Sequence, residues 1–255
     1  MKNLNEVLSA LESLQGTIGA CAFSGGQEKL CFHADAEVNA ASLIKLPIMA
    51  EAFRQREEGM LDFQQVLTIP PSVCCPSCGC ISYLHENAQF QVRDLVVLMI
   101  ILSDNTAANV LMDLLGMEAI QATVEHLGMA HTHLRRKLFD EYLISQGIQN
   151  QTSAGDMTLF FRKLMAGEII SSEASREMMN ILKNQALNGK IPFFLHSRKI
   201  KCAHKTGEDE GITHDCGVIF SREPVIFCMV SEHTDVPCTE RVMQETAACL
   251  AGVEI

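Results

Sequence analysis

The sequence predicts an α+β protein in which an antiparallel sheet is built from both chain ends, with flanking helices and an inserted all-α lobe. Strand-like runs occur near the N-terminus and again in the C-terminal third, whereas the middle of the chain has apolar residues at helical spacing. Strands at both ends with helices between them are typical of α+β proteins. The predicted sheet lobe comprises residues 1–41 and 200–255 and the helical lobe residues 42–199, with the active site in the cleft between them.

The N-terminal part predicts one helix, a hairpin and a second helix. Apolar residues recur at helical spacing over Leu4–Leu14. Two strand-like runs, Thr17–Phe23 and Lys29–His33, are separated by a pair of glycines, which is typical of a β-hairpin. A second helical pattern begins near Ser42 and continues to Gly59.

The middle of the chain predicts five helices, and the C-terminal third predicts three strands and a last helix. The helices are Val92–Ile101, Thr106–Leu115, Met117–Leu127, Ala154–Met165 and Ser172–Asn184. The C-terminal elements are the strands Ile200–Lys205, Asp215–Phe220 and Val225–Ser231 and the helix Thr239–Leu250. Between Gly128 and Thr152 the periodicity is weak, and long segments of that kind are usually functional.

Charge and hydropathy exclude several classes of protein. The net charge is −11 with acidic residues spread along the chain, whereas a nucleic-acid surface requires basic stripes. The short basic run Arg135-Arg136-Lys137 is interpreted as solvated surface or local salt bridging. No segment approaches the ~20 apolar residues of a membrane helix. The expected partner is therefore a small-molecule substrate, with no nucleic acid and no membrane span, and the chain is expected to be a monomer.

The cysteines indicate the compartment. There are eleven, an odd number scattered among apolar positions, which favours reduced thiols over a disulfide framework. The first residues contain no uninterrupted apolar stretch of the secretory type. A cytoplasmic location is expected, or a periplasmic or secreted one if a leader has been removed.

Ser42 and Lys45 are the first candidate catalytic pair. Residues three apart on a helix lie on one face, so the hydroxyl and the ammonium can meet in the first turn. A serine hydroxyl needs a partner that takes its proton, and a desolvated lysine near other cations can do so. Taken alone, the same pair is more often a helix cap followed by a surface lysine.

Two further motifs are informative because of their order along the chain relative to Ser42 and Lys45. Ser103-Asp104-Asn105 lies between two predicted helices, where these residue types are also common caps. Lys205-Thr206-Gly207 ends a predicted strand and alone is an ordinary turn. With Ser42 and Lys45, however, they resemble the penicillin-recognising serine enzymes, and the class A β-lactamase family in particular. The resemblance extends to the residues around each motif and covers essentially the whole chain.

The resemblance implies a role for each matching residue. Ser42 would attack a cyclic amide or peptide carbonyl, Lys45 would accept or relay the proton, and Ser103 would pass a proton to the leaving nitrogen. Lys205 would support Ser103 and attract a substrate carboxylate. The remaining implied roles are substrate binding by Asn105, Thr206 and Gly207 and an oxyanion hole formed by the backbone N–H groups of Ser42 and Glu208.

The segment Gly128–Thr152 departs from the family pattern. The family has a loop glutamate that activates the deacylating water, and the match places Leu138 there, or Lys137 with a slip of one residue. Asp140 and Glu141 are the nearest carboxylates and could substitute if the loop folds differently. The sequence thus predicts acylation at Ser42 with doubtful deacylation.

A second departure is a cysteine-rich segment formed by Cys74, Cys75, Cys78 and Cys80, where the family has glycine and serine. Four thiols so close could bind zinc or an iron–sulfur cluster, but no second ligand pair is evident. The simpler interpretation is that these cysteines are small residues in place of glycine and serine, so no metal and no cofactor are expected.

The predicted function is a β-lactamase-like serine hydrolase. The alternatives are a carboxypeptidase- or esterase-like enzyme, or a β-lactam-binding sensor without turnover.

Overall fold

The computed structural model describes residues 4–76 and 78–255, and residues 1–3 of the predicted sheet lobe and Ser77 of the cysteine-rich segment lie outside it. The helices of the described part are α1 (Leu4–Glu12), α2 (Lys45–Glu57), α3 (Val92–Ile101), α4 (Asn105–Leu115), α5 (Met117–His126), α6 (Glu141–Ser145), α7 (Ala154–Ala166), α8 (Ser172–Leu182) and α9 (Val236–Leu250). The strands are β1 (Thr17–Ser24), β2 (Gln27–Phe32), β3 (Val38–Asn39), β4 (Val66–Ile69), β5 (Ala88–Gln91), β6 (Gln151–Thr152), β7 (Lys201–Asp209), β8 (Ile212–Phe220) and β9 (Val225–Glu232).

The five long strands form one antiparallel sheet in the order β2-β1-β9-β8-β7. The sheet joins strands from both chain ends, with the helices α2 to α8 between them in sequence, which confirms the predicted fold class. Two small ladders, β3 with β6 and β4 with β5, were not predicted. Strands of two to four residues are too short to show a periodic pattern.

Each face of the sheet packs against a separate layer of helices. One face, with Cys216 and Val218 of β8 among its buried side chains, packs into the large core formed by the helical block. The opposite face, with Phe227 and Met229 of β9, packs against α1 and α9. Alternate residues of a strand point to opposite faces, so a sheet covered on both sides has strands that are buried almost throughout. Both β8 and β9 have that pattern.

Several predicted boundaries differ from the structure. Ser42 lies in a 3-10 turn, Ala41–Ile44, and the α-helix begins at Lys45. Helix α9 begins three residues earlier than predicted because the Asp235 carboxylate accepts from the Cys238 N–H and caps it. The predicted division into two lobes remains a prediction. None of the helices among residues 4–76 and 78–255 is both long and apolar enough to cross a membrane.

We predict that Gly217→Ala destabilises the protein by about 2 kcal/mol, since a Cβ at this position of β8 would overpack the strand pair. That Cβ would lie 2.4 Å from the Ala203 carbonyl oxygen and 2.5 Å from the His204 Cβ, both on β7. The matched control is Gly189→Ala, whose Cβ would have no atom within 4 Å. Urea denaturation should show a lower free energy of unfolding for the first variant only; equal midpoints would contradict this packing.

Candidate active site

Ser42 and Lys45 meet at the junction of the 3-10 turn with α2. Lys45 lies three residues after Ser42, and its Nζ is 2.8 Å from the Ser42 Oγ. The turn begins with a strained residue, since Ala41 has a positive φ of 42°. Ser42 is half-buried whereas Lys45 is completely buried. The predicted pairing of hydroxyl and amine is therefore present in the structure.

Lys45 contacts four oxygens, which is more than a neutral amine can donate to. Its Nζ lies 2.7 Å from Asn105 Oδ1, 2.8 Å from the Ser103 carbonyl oxygen and 3.1 Å from Ser103 Oγ, in addition to Ser42 Oγ. The amide and carbonyl oxygens are acceptors only. They take the two hydrogens of a neutral amine, so its lone pair is left to face the two hydroxyl groups. That arrangement is what a serine nucleophile needs from its base.

Ser103 reaches Lys45 because the α3–α4 junction is sharply bent and rigidly held. Ser103 has a positive φ of 54°, a conformation that non-glycine residues seldom adopt and that persists only when its surroundings impose it. The neighbouring Asp104 caps α4 by accepting from the Ala107 N–H at 2.9 Å. The same carboxylate accepts from the N–H groups of Cys80 and Ile81 at 2.7 and 3.0 Å. Asp104 thereby fixes both the junction and the end of the cysteine-rich segment.

Lys205 approaches the same hydroxyl from the sheet. It lies in β7, is completely buried, and its Nζ is 2.9 Å from Ser103 Oγ and 2.7 Å from the Thr206 carbonyl oxygen. Ser103 Oγ thus lies between two lysine nitrogens. The hydroxyl can exchange protons with either without any movement of the backbone.

Burial weakens proton binding by both lysines, and a neighbouring lysine adds to that effect in each case: Lys205 for Lys45, and Lys190 for Lys205. Burial lowers the pKa of Lys205 to about 7. The pKa of Lys45 lies well below its ordinary 10.5, chiefly because of burial and then because of the Lys205 charge. Both causes favour the neutral amine. Lys45 is therefore suited to act as a proton acceptor near neutral pH.

A cavity of about 310 Å³ opens above Ser42. Asn105 on α4 and the end of β7, at Glu208 and Asp209, form its inner walls. Its other lining residues are Asn39, Ala41, Cys78, Arg136, Leu138, Phe139, Ile144 and Asn150. Thr206 and Gly207 precede this end of β7 and do not line the cavity.

The segment 128–152 forms the outer wall of the cavity and presents mainly apolar side chains to it. Leu138 is held at its backbone by Asn109, whose side chain accepts from the Leu138 N–H and donates to the Leu138 carbonyl, both at 2.9 Å. Arg136 is not solvated, since its buried guanidinium donates to the carbonyls of Ile148 and Lys137. Lys137 forms an ion pair with Asp113.

The two candidate deacylation bases do not line the cavity that contains Ser42. The Asp140 carboxylate accepts from the Leu143 N–H at 3.0 Å and caps α6. Glu141 lines a neighbouring cavity, together with Cys74 and Cys75. Neither placement brings a carboxylate toward Ser42.

Sequence reasoning missed one buried cation that supports β7. Lys190 is 3% exposed, and its Nζ lies 3.1 Å from the Gly207 carbonyl oxygen, 3.2 Å from that of His214 and 3.1 Å from Glu208 Oε1. A lone lysine in a loop gives no signal in a single sequence. Within residues 4–76 and 78–255, no three His, Cys, Asp or Glu side chains are grouped to hold a metal ion.

Comparisons with known proteins relate the chain as a whole to one family of enzymes. The sequence model described as the β-lactamase enzyme family matches residues 1–251. A β-lactamase from Sphaerobacter thermophilus is 26% identical, with a TM-score of 0.89 over 98% of this chain and 97% of that one. The penicillin-binding protein PBP-A is 25% identical, with a TM-score of 0.87 over 97% and 94%. A comparison with curated protein sequences gives no match.

We predict that Lys205 titrates near pH 7 and that Lys205→Met raises the pKa of Lys45, because the substitution removes a cation that disfavours the protonated form. ¹³C NMR of the lysine Cε groups measures both midpoints. The control is Lys29→Met at an exposed position of β2, which should leave the pKa of Lys45 and the pKa of Lys205 unchanged. A Lys45 midpoint that stays constant or falls in Lys205→Met would show that the two lysines do not interact as described.

Proposed function

The chain belongs to the β-lactamase enzyme family, and from this and the site geometry we propose that it is a serine hydrolase that forms an acyl-enzyme at Ser42. Its substrates are β-lactams or related amides and esters. The observation that carries the proposal is the contact of Lys45 Nζ with Ser42 Oγ at 2.8 Å inside a cavity large enough for a small molecule. A buried amine with a lowered pKa, facing a hydroxyl at a cavity floor, is the arrangement that nucleophilic catalysis requires.

Acylation proceeds by proton transfers among groups that are already in contact. Ser42 Oγ bonds to the substrate carbonyl carbon while its proton passes to Lys45 Nζ. The carbon–nitrogen bond then breaks, and the leaving nitrogen takes a proton from Ser103 Oγ. Ser103 recovers a proton from Lys45, 3.1 Å away, so both lysine and serine return to their starting states. Each transfer covers one hydrogen bond, which is the geometry that general acid–base catalysis demands.

Charged and polar groups around the cavity orient the substrate. We propose that the backbone N–H groups of Ser42 and Glu208 form the oxyanion hole and that Asn105 binds the substrate amide. Lys205, with a pKa of about 7, supplies a positive charge behind Ser103 for a substrate carboxylate. Thr206 and Gly207 then act as part of the β7 edge along which the substrate lies.

Hydrolysis of the acyl-enzyme is the slow step of the proposed cycle. Among the described residues, those that segment 128–152 contributes to the cavity are the non-acidic Arg136, Leu138, Phe139, Ile144 and Asn150. A positioned general base is worth roughly 10²–10⁴ in rate. The carboxylates that line the cavity, Glu208 and Asp209, lie at the end of β7, where Glu208 pairs with Lys190 and Asp209 accepts from the Glu210 N–H. Without a base on the segment 128–152, water attacks the Ser42 ester slowly, and the acyl-enzyme accumulates.

Two alternatives follow from the same geometry. A carboxypeptidase- or esterase-like enzyme would use the same acylation site with a different leaving group. A sensor would be acylated once and would not turn over. The related structures include both a β-lactamase and a penicillin-binding protein, and one of them is the acyl-enzyme complex of a leucine-to-glutamate mutant of PBP-A with penicillin G. Penicillin is therefore a suitable probe for all three.

We predict that penicillin G adds its full mass to the protein, because ring opening releases no fragment, and that the adduct is lost in Ser42→Ala. Intact-mass spectrometry measures the adduct, and a chromogenic cephalosporin measures turnover in parallel. Sustained colour would identify an efficient β-lactamase, and a persistent adduct an enzyme limited by deacylation. Absence of both, with the variant and wild type equally folded, would contradict the proposal for β-lactams.

We predict that Leu138→Glu accelerates deacylation by about 10²-fold, since a carboxylate here would face the Ser42 cavity from a backbone position that Asn109 already fixes. The matched control is Leu138→Gln, which has the same size and polarity but no basic group. Decay of the penicillin adduct after removal of free penicillin gives the rate. Equal acceleration by both variants would mean that loosening of the wall, not base catalysis, governs deacylation.

A further inference from the structure

The cysteine-rich segment has a feature that the proposed hydrolase does not use. Cys75 and Cys78 are separated by two residues, the spacing at which one thiol can attack a disulfide held by the other. Neither is in a disulfide in this structure, and both are partly exposed. Cys78 lines the cavity that contains Ser42, and Cys75 lines the adjoining one. Leu138 and Phe139 line both cavities, so the two cavities adjoin.

We propose that Cys75 and Cys78 are a redox-active dithiol pair whose oxidation to a disulfide by a small-molecule disulfide slows acylation of Ser42. The existence of the pair is independent of the proposed function, whereas its effect on acylation rests on that function.

The two thiols of the pair have different contacts. The Cys75 backbone N–H donates to Thr106 Oγ1 at 2.9 Å, and Cys75 Sγ accepts a hydrogen bond from Asn109 Nδ2 at 3.1 Å, so α4 holds this residue at two points. Burial raises the pKa of the Cys75 thiol, which disfavours its thiolate as the first nucleophile. Cys78 lines the cavity that contains Ser42, where a small molecule can reach it. In the proposed exchange Cys78 is therefore the attacking thiol and Cys75 the resolving one.

The other two thiols of the segment are held in different surroundings. Burial and then the charge of Asp104 raise the pKa of Cys80, whose backbone N–H is anchored on that carboxylate at 2.7 Å. Gly79 is locked against the same aspartate, since a Cβ there would lie 2.2 Å from its Oδ2. Cys74 packs against the large core. Cys80 is thus anchored on Asp104 and Cys74 on the core, which leaves Cys75 and Cys78 as the pair with the two-residue spacing.

The exchange balances without any further reactant. The Cys78 thiolate attacks one sulfur of the small disulfide, forms a mixed disulfide and releases one thiol. The Cys75 thiolate then attacks Cys78 Sγ, forms the Cys75–Cys78 bond and releases the second thiol. The protein loses two electrons and two protons, and the small disulfide gains them as two thiols.

Oxidation would affect the active site through Asn105, which forms two hydrogen bonds to the cysteine-rich segment. Its side-chain Nδ2 donates to the Pro76 carbonyl at 3.2 Å, and its backbone N–H donates to the Cys78 carbonyl at 3.2 Å. Its Oδ1 is also the nearest oxygen to Lys45 Nζ, at 2.7 Å. Drawing Cys75 and Cys78 together moves both carbonyl groups. Asn105 and the amine that activates Ser42 then lose their alignment.

The test incubates the reduced full chain with oxidised glutathione, blocks the remaining thiols with iodoacetamide, and combines intact mass with peptide mapping. We expect a Cys75–Cys78 disulfide and acylation by a fluorescent penicillin slowed by about tenfold or more, since displacements near 1 Å have effects of that order. Dithiothreitol should restore the rate. Cys78→Ser and Cys75→Ser should abolish the disulfide, whereas the matched controls Cys74→Ser and Cys80→Ser should retain both the bond and the slowing.

Several results would overturn the proposal. They are a disulfide to Cys74 or Cys80, a stable glutathione adduct on Cys78 alone, no oxidation at all, or a Cys75–Cys78 disulfide that leaves acylation unchanged. Failure of the proposed function has a different signature, because the reduced protein would then show no penicillin adduct whatever its thiols do. Mapping the wild-type disulfide also keeps the test informative if a serine variant does not fold.

Discussion

The site depends on one buried amine. Lys45 Nζ lies within 3.1 Å of oxygens from Ser42, Ser103 and Asn105, which belong to the 3-10 turn before α2, the α3–α4 junction and the start of α4. A buried polar group without partners is costly, so each of these elements is constrained to deliver an acceptor to this point. The positive φ of Ser103 is one visible consequence, because a relaxed junction would not place both its carbonyl and its hydroxyl against the lysine.

Two lysines that share one hydroxyl give this centre its chemical character. Lys45 and Lys205 are both fully buried, and each is more easily deprotonated than a solvent-exposed lysine. Removal of water disfavours the charged forms, and proximity disfavours charging both at once. Both effects favour a neutral amine beside Ser42. Lys190 lies behind the same strand and pairs with Glu208, at the end of β7 that borders the cavity.

The wall facing this centre presents an apolar side chain from a backbone that is firmly held. Asn109 bonds to both the N–H and the carbonyl of Leu138, so the Leu138 side chain lines the Ser42 cavity from a fixed position. The same asparagine donates to Cys75, and Asn105 bonds to the carbonyl groups of Pro76 and Cys78. The wall, the cysteine-rich segment and Asn105 are therefore mechanically connected. The proposed acylation at Ser42 is the step that this connection reaches, through Asn105 and Lys45.

Periodicity and short motifs determined much of this protein from the sequence alone. The helices of the central block and the antiparallel sheet from both chain ends follow from patterns that span only a few neighbouring positions. Short motifs also predicted Ser42, Lys45, Ser103 and Lys205, which the fold brings into contact. Only the tertiary structure decided what depends on contacts between distant segments: the burial of Arg136, the support of β7 by Lys190, and the turning of Asp140 and Glu141 away from the Ser42 cavity. Ser42, the proposed nucleophile, lies three residues before Lys45, so their contact is local. The wall of their cavity is assembled from segments far apart in sequence, and no local pattern records which side chains will face it.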